Sequence, residues 1–123
     1  MKYSKIRFGL IIPQGWKLDL PESLSPVEQY QLIEKTAREA ERIGFDSVWF
    51  YDHFHTVPEP RPCSCSECWS TLMALAKATR RLRLGQIVTC NSYRQPSYLA
   101  KMASMLDVVS NGRLEFGIGA GWY

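Results

Sequence analysis

"FDSVWFYDH", residues 45–53, changes character half-way: Val48, Trp49 and Phe50 are apolar and β-prone, and Asp52 and His53 follow almost at once. A short apolar run behind a glycine predicts a buried strand. Its polar pair then stands at the C-terminal end of that strand. In folds built of parallel strands and crossover helices, function collects at such ends, because loops and helix N-termini converge there.

The flanking segments supply the helices that such a fold requires. Upstream, Ser25 is placed to cap a helix, with Pro26 in its first turn and Glu28 completing a capping box. Tyr30, Ile33, Ala37 and Ala40 recur on one face, and Gly44 ends the helix. Before it, "IRFGLII" (6–12) predicts a strand buried on both faces and closed by Pro13. Downstream, Ser64 and Glu67 predict a second capping box, and Trp69, Leu72, Met73 and Ala76 form the stripe of a helix ending near Arg80. "LRLGQIVTC" (82–90) is a third strand. Pro96 opens a third helix with Leu99, Met102, Ala103 and Leu106 on one face, stopped at Gly112, and "LEFGIGAG" (114–121) is a fourth strand. Strand and helix alternate throughout one domain, which implies parallel pairing. An open doubly wound sheet and part of a closed barrel both satisfy this order. In either, Pro13 and Gln14, Asp52 and His53, Thr89 to Ser92, and Gly119 to Trp122 meet around one rim.

Composition narrows the class. The 123 residues are 46% hydrophobic and 22% charged, with a net charge of +3, the balance of a globular domain. Arg80, Arg81 and Arg83 are the one basic cluster; no aromatic residues interleave with it, so a solvated turn is expected rather than a nucleic-acid surface. No stretch is long enough to span a membrane. The N-terminal apolar run is broken by Pro13 and lacks a cleavage site, so it does not read as a signal peptide. Four cysteines without a secretory signal point to free thiols and a cytoplasmic location.

"GFDSVWFYDHF", "FGLIIPQ", "YRQP" and "DVVSNGRLEFGIGAGW" resemble, in their order and spacing, the luciferase-like monooxygenase family, in particular its members that use the deazaflavin coenzyme F420. The resemblance implies a TIM (β/α)8 barrel, of which this chain would supply the N-terminal half as a single partial domain: four strands and three helices, where the whole needs about 250 residues. It implies an oxidoreductase that transfers hydride between coenzyme F420 and a small organic substrate, with FMN-dependent monooxygenation as the alternative.

Carried residue by residue, the resemblance places a catalytic histidine at His53, which can hand over or accept a proton near neutrality. It makes Asp52 a cofactor contact, although alternation along a strand would point Asp52 and His53 to opposite faces; the structural alternative is an aspartate that accepts backbone N–H bonds from the next loop. It puts a bulge with a cis peptide not involving proline at Ile87 and Val88, supporting the cofactor ring. Cys90 stands where relatives have a cofactor-contacting threonine, and a thiol is the weaker donor. Ala120 and Gly121 become the backbone pair approaching the cofactor. "GIGAGW" is not a dinucleotide fingerprint, its spacing being G-x-G-x-G. The sugar-phosphate dehydrogenases of this family have a catalytic glutamate directly afterwards, where this sequence has Trp122.

"PEPRPCSCSECW" (58–69) raises a rival of another class, a non-catalytic half-barrel that binds zinc or only oligomerises. Cys63, Cys65 and Cys68 with His53 or His55 are suitable ligand types, but "CSC" is not a C-x2-C knuckle and no second pair follows. The expectation is therefore no metal, and a proline-stiffened loop at an active-site rim. A half-barrel exposes apolar strand residues, so the chain is expected to form homo-oligomers or to need the remaining half.

Overall fold

The structure, a computed structural model, describes residues 6–121. Its order is β1 (Gly9–Ile11), α1 (Pro26–Ile43), β2 (Ser47–Phe50), α2 (Cys68–Ala78), β3 (Arg83–Gln86), β4 (Thr89–Cys90), α3 (Pro96–Ser110), β5 (Leu114–Glu115) and β6 (Ile118–Gly119). All pairings are parallel, in a sheet ordered β1-β2-β3-β5 that continues as the pair β4-β6. Four strand positions result, because the third breaks at the cis peptide Ile87–Val88 and the fourth resumes in step with it.

Register decides which face is covered. Val48 pairs with Leu84 and Phe50 with Gln86, and these side chains point to the helices, where Val48, Phe50 and Leu84 pack with Ile33, Ala37, Leu72, Leu75 and Leu106 in one core. Their partners on the alternate positions face the other way. There the Trp49 indole lies across Gly85, where a Cβ would stand 2.4 Å from the ring, so the strand beside Trp49 admits no side chain. That face carries no helical layer among the described residues. Consequently β1 is not buried on both sides: Phe8 is 62% and Ile11 48% exposed, and Ile12 alone of that run is buried.

The helices follow their punctuation. Ser25 and Glu28 form the reciprocal capping box, and Gly44 closes α1 in the left-handed conformation. The buried stripe is Gln29, Ile33, Ala37 and Ala40; Tyr30 sits one step off it, with its hydroxyl donating to Glu34 at 3.2 Å. At α2 the expected Ser64 cap is corrected. Glu67 is itself the N-cap, its carboxylate accepting from the Trp69 and Ser70 amides, as a helix N-terminus favours an anion.

The basic turn is tied down by acid. Glu41 Oε1 accepts from the amides of Arg80, Arg81 and Leu82 at 2.9, 2.5 and 3.0 Å, and Arg83 pairs with Glu115. Burial opposes the Glu41 charge, yet these N–H donors outweigh it and hold its carboxyl below the ordinary value. Arg113, only 9% exposed, donates to the carbonyls of Ala76, Thr79, Leu82 and Ser110, which ties the end of α2 to the start of β3.

Candidate active site at the strand ends

The C-terminal ends of the strands enclose a cleft of about 420 Å3. Every site residue that the resemblance implied borders it, Asp52, His53, Ile87, Val88, Cys90, Ala120 and Gly121, whereas the other expected rim positions Pro13, Gln14, Thr89, Asn91 and Ser92 do not line it. Trp122 lies outside the described residues.

One wall is backbone and aliphatic surface. The peptide Ile87–Val88 is cis, as the resemblance implied, and its two side chains are about half exposed toward the open side, at 41% and 44%. Behind them β6 approaches so closely that a Cβ on Gly119 would lie 2.5 Å from Val88 Cγ2. A larger residue there would push the wall apart. Gly121, with a φ of 94°, turns next to the Cys90 sulfur, 3.0 Å from where its own Cβ would be. The result is a surface of peptide edges and branched aliphatics, suited to a flat ring.

A further part of the lining is aromatic, and sequence reasoning did not find it. Trp16, Lys17, Tyr51 and Tyr93 line the cleft with His53. The His53 imidazole stacks on Trp16 at 4.3 Å between centroids, tilted by 14°, and Lys17 Nζ stands 4.7 Å from the same indole. Gln14 fixes this arrangement from below. Fully buried, its amide donates to the carbonyls of Tyr51 and Ser66 at 2.7 Å each and accepts from the Tyr51 amide at 3.0 Å. The loop after β1 is thereby clamped to the end of β2, and the Val57 amide donates to the Trp16 carbonyl at 2.9 Å. The signal in the sequence was "PQGW" directly after the first strand, where a glutamine and an indole stand at a rim.

Burial lowers the His53 pKa below its ordinary value, and the charge of His55 adds to this; Asp52 opposes, and Lys17 adds a little more. At neutral pH the imidazole is therefore uncharged and able to accept a proton. Asp52 meets the cleft differently. Its side chain is 1% exposed and takes both Arg94 guanidinium nitrogens, at 2.5 and 2.9 Å, while the Cys90 amide donates to Oδ2 at 3.0 Å. Asp52 thus borders the cleft with its side chain buried and accepts a backbone N–H from the next strand end. Arg94 also reaches Glu67 at 2.6 Å. Burial disfavours its charge, but the bonds and charges of Asp52 and Glu67 outweigh this and raise its pKa.

The cysteine loop is held by its own hydrogen bonds. Thr56 Oγ1 donates to Glu59 O at 2.6 Å and accepts from the Arg61 amide at 2.9 Å, and the Ser66 amide donates to Gln14 O at 2.9 Å. Burial, then Asp19 and Cys63, push the Cys65 thiol up to about 11; burial also raises that of Cys68. Among the described residues no three His, Cys, Asp or Glu side chains converge as a ligand set.

Comparison with known proteins gives the same family as the motifs. The model of luciferase-like monooxygenases matches residues 6–123. The F420-dependent glucose-6-phosphate dehydrogenase of Intrasporangium calvum is 35% identical over 108 residues, covering 87% of this chain and 30% of that protein. Among solved structures, an F420-dependent secondary alcohol dehydrogenase in complex with an F420-acetone adduct superposes with a TM-score of 0.70 at 28% identity, over 96% of this chain and 32% of the other. The oxygenating constituent of 3,6-diketocamphane monooxygenase from Pseudomonas putida, in complex with FMN, shares the fold with a TM-score of 0.76 at 24% identity, over 97% and 30%. The chain thus spans about a third of the length of the proteins it matches.

Proposed function

The chain belongs to the luciferase-like monooxygenase family, and from that premise we propose that the complete protein is an oxidoreductase that binds coenzyme F420 in the cleft and exchanges hydride with a small organic substrate. One observation carries the reading: the aliphatic and backbone surface of Ile87, Val88 and Gly119–Gly121 borders the same cleft as a half-buried His53 whose pKa is lowered by burial. The described residues fit such a ring, since the cleft they line is bordered by the Ile87 and Val88 side chains and by the Gly119–Gly121 backbone, which packs against Val88 too closely to carry a side chain.

When bound, the deazaflavin supplies a hydride carrier. The chain supplies the rest. Ile87, Val88 and Ala120 exclude water from one side of the ring, and the backbone near Cys90 and Gly121 offers hydrogen-bonding edges to its rim. His53 accepts a proton from the substrate during oxidation, or returns it during reduction, at a ring nitrogen whose orientation is fixed by the Trp16 stack. Substrate selection falls to the aromatic wall together with loops beyond this chain. In this reading the chain is a single partial domain, the first four strand positions and three helices of the barrel.

The test is a comparison of chemistry with both cofactors. With F420, the complete protein should reduce the cofactor in the presence of an oxidisable substrate and consume no oxygen. Oxygen consumption with reduced FMN, and none of that F420 reduction, would instead assign it to FMN-dependent monooxygenation.

A further inference from the structure

Asp52 and Arg94 form a buried pair directly behind the cleft, and their geometry is more specific than a fortuitous contact. The two side chains are 1% and 8% exposed. Three donors converge on one carboxylate, two from Arg94 and one from the Cys90 amide, and Arg94 Nη2, which donates to Asp52 Oδ1, also donates to Glu67 at the N-cap of α2. The Phe54 ring stands 5.6 Å from the Arg94 guanidinium carbon and is itself stacked on Tyr93 at 4.3 Å. Strand end, helix cap and the loop before α3 are thus joined at one planar fork, a geometry that a lysine's single ammonium would not reproduce.

We propose that Arg94 is a positioning residue that keeps the Asp52 carboxylate turned from the cleft, so that this strand end presents the His53 imidazole, and not the carboxylate, to whatever the cleft binds. The inference rests on the cleft being the active site. Without Arg94, a buried carboxylate loses its counter-charge, and it acts on the neighbouring imidazole, whose protonated form it favours. Groups of several elements face His53: Asp52, Tyr51 and His55 from its own segment, Lys17 from the loop after β1, and the Cys65 thiol, which donates to the His53 carbonyl at 3.3 Å. Of these charges, only that of Asp52 is unmasked by changing Arg94.

The experiment is an NMR titration of His53 in the complete protein with isotope-labelled histidine, assigned by His53→Gln. Arg94→Met is expected to raise the His53 midpoint by about one unit, and Asp52→Asn added to it should bring the midpoint back. An unchanged midpoint in folded Arg94→Met would overturn the proposal. Should that variant fail to fold, Asp52→Asn alone decides by F420 titration: affinity within about threefold of the parent agrees with a carboxylate that does not meet the ligand, and a tenfold loss contradicts it. If neither F420 nor FMN binds the parent protein, the proposed function fails, while the titration of His53 still reads the placement of Arg94.

Discussion

His53 owes its chemistry to where it sits rather than to its type. Desolvation and the Trp16 stack give a neutral, oriented imidazole, so His53→Ala should lower turnover by about 10² to 10⁴, the usual worth of a positioned acid or base, with F420 affinity changed only a few-fold. Unchanged turnover would remove it from the mechanism. The sign of the pH dependence follows from the depressed pKa. Activity should hold across neutral pH and fall on an acid limb lying below about 6.5, the ordinary imidazole value; the stability contributed by neutral His53 is likewise full above that value and lost as pH drops through the folded one. At this scale, His53, Ile87, Val88 and Gly121 were legible because motif and spacing mark them. Gln14 was legible as a rim position but not as a clamp, and Trp16 and Arg94 were not legible, since single residues in loops carry no periodicity and their partners lie far along the chain, in Tyr51, Ser66, His53 and Asp52.

The elements were legible wherever local chemistry fixes them. The Ser25–Glu28 box and the Gly44 cap bound α1 as expected, and Ser25→Ala should cost about 1 kcal/mol of stability. What local chemistry leaves open is any boundary set by a distant side chain. The second helix stops at Ala78 with Arg113, ahead of β5, holding the Ala76 and Thr79 carbonyls, and its N-cap is Glu67 rather than Ser64, with a carboxylate that also meets Arg94. Arg113→Met should strand several buried carbonyls and cost about 3 kcal/mol or more, read as a lowered urea midpoint with an unchanged slope. A loss below about 0.5 kcal/mol would mean that the guanidinium is not what closes that helix.

At the scale of the whole molecule, the alternation of strand and helix was legible, but burial was not, because one face of the sheet has no cover among the described residues. Phe8, Ile11, Phe116 and Ile118 are each about half exposed or more, and such surface seeks a partner. The 123-residue chain alone should therefore associate in sedimentation and bind F420 weakly; a stable monomer with a sharp unfolding transition would contradict this. Whether the cleft lined by Ile87, Val88, Gly121 and His53 holds a flat deazaflavin is decided by titrating the complete protein and its Gly119→Val variant with F420. Saturable binding by the parent is expected, with at least a tenfold loss in the variant, whose side chain would enter the space held by Val88. Equal affinity in the two, or no saturable binding by the parent, would contradict it.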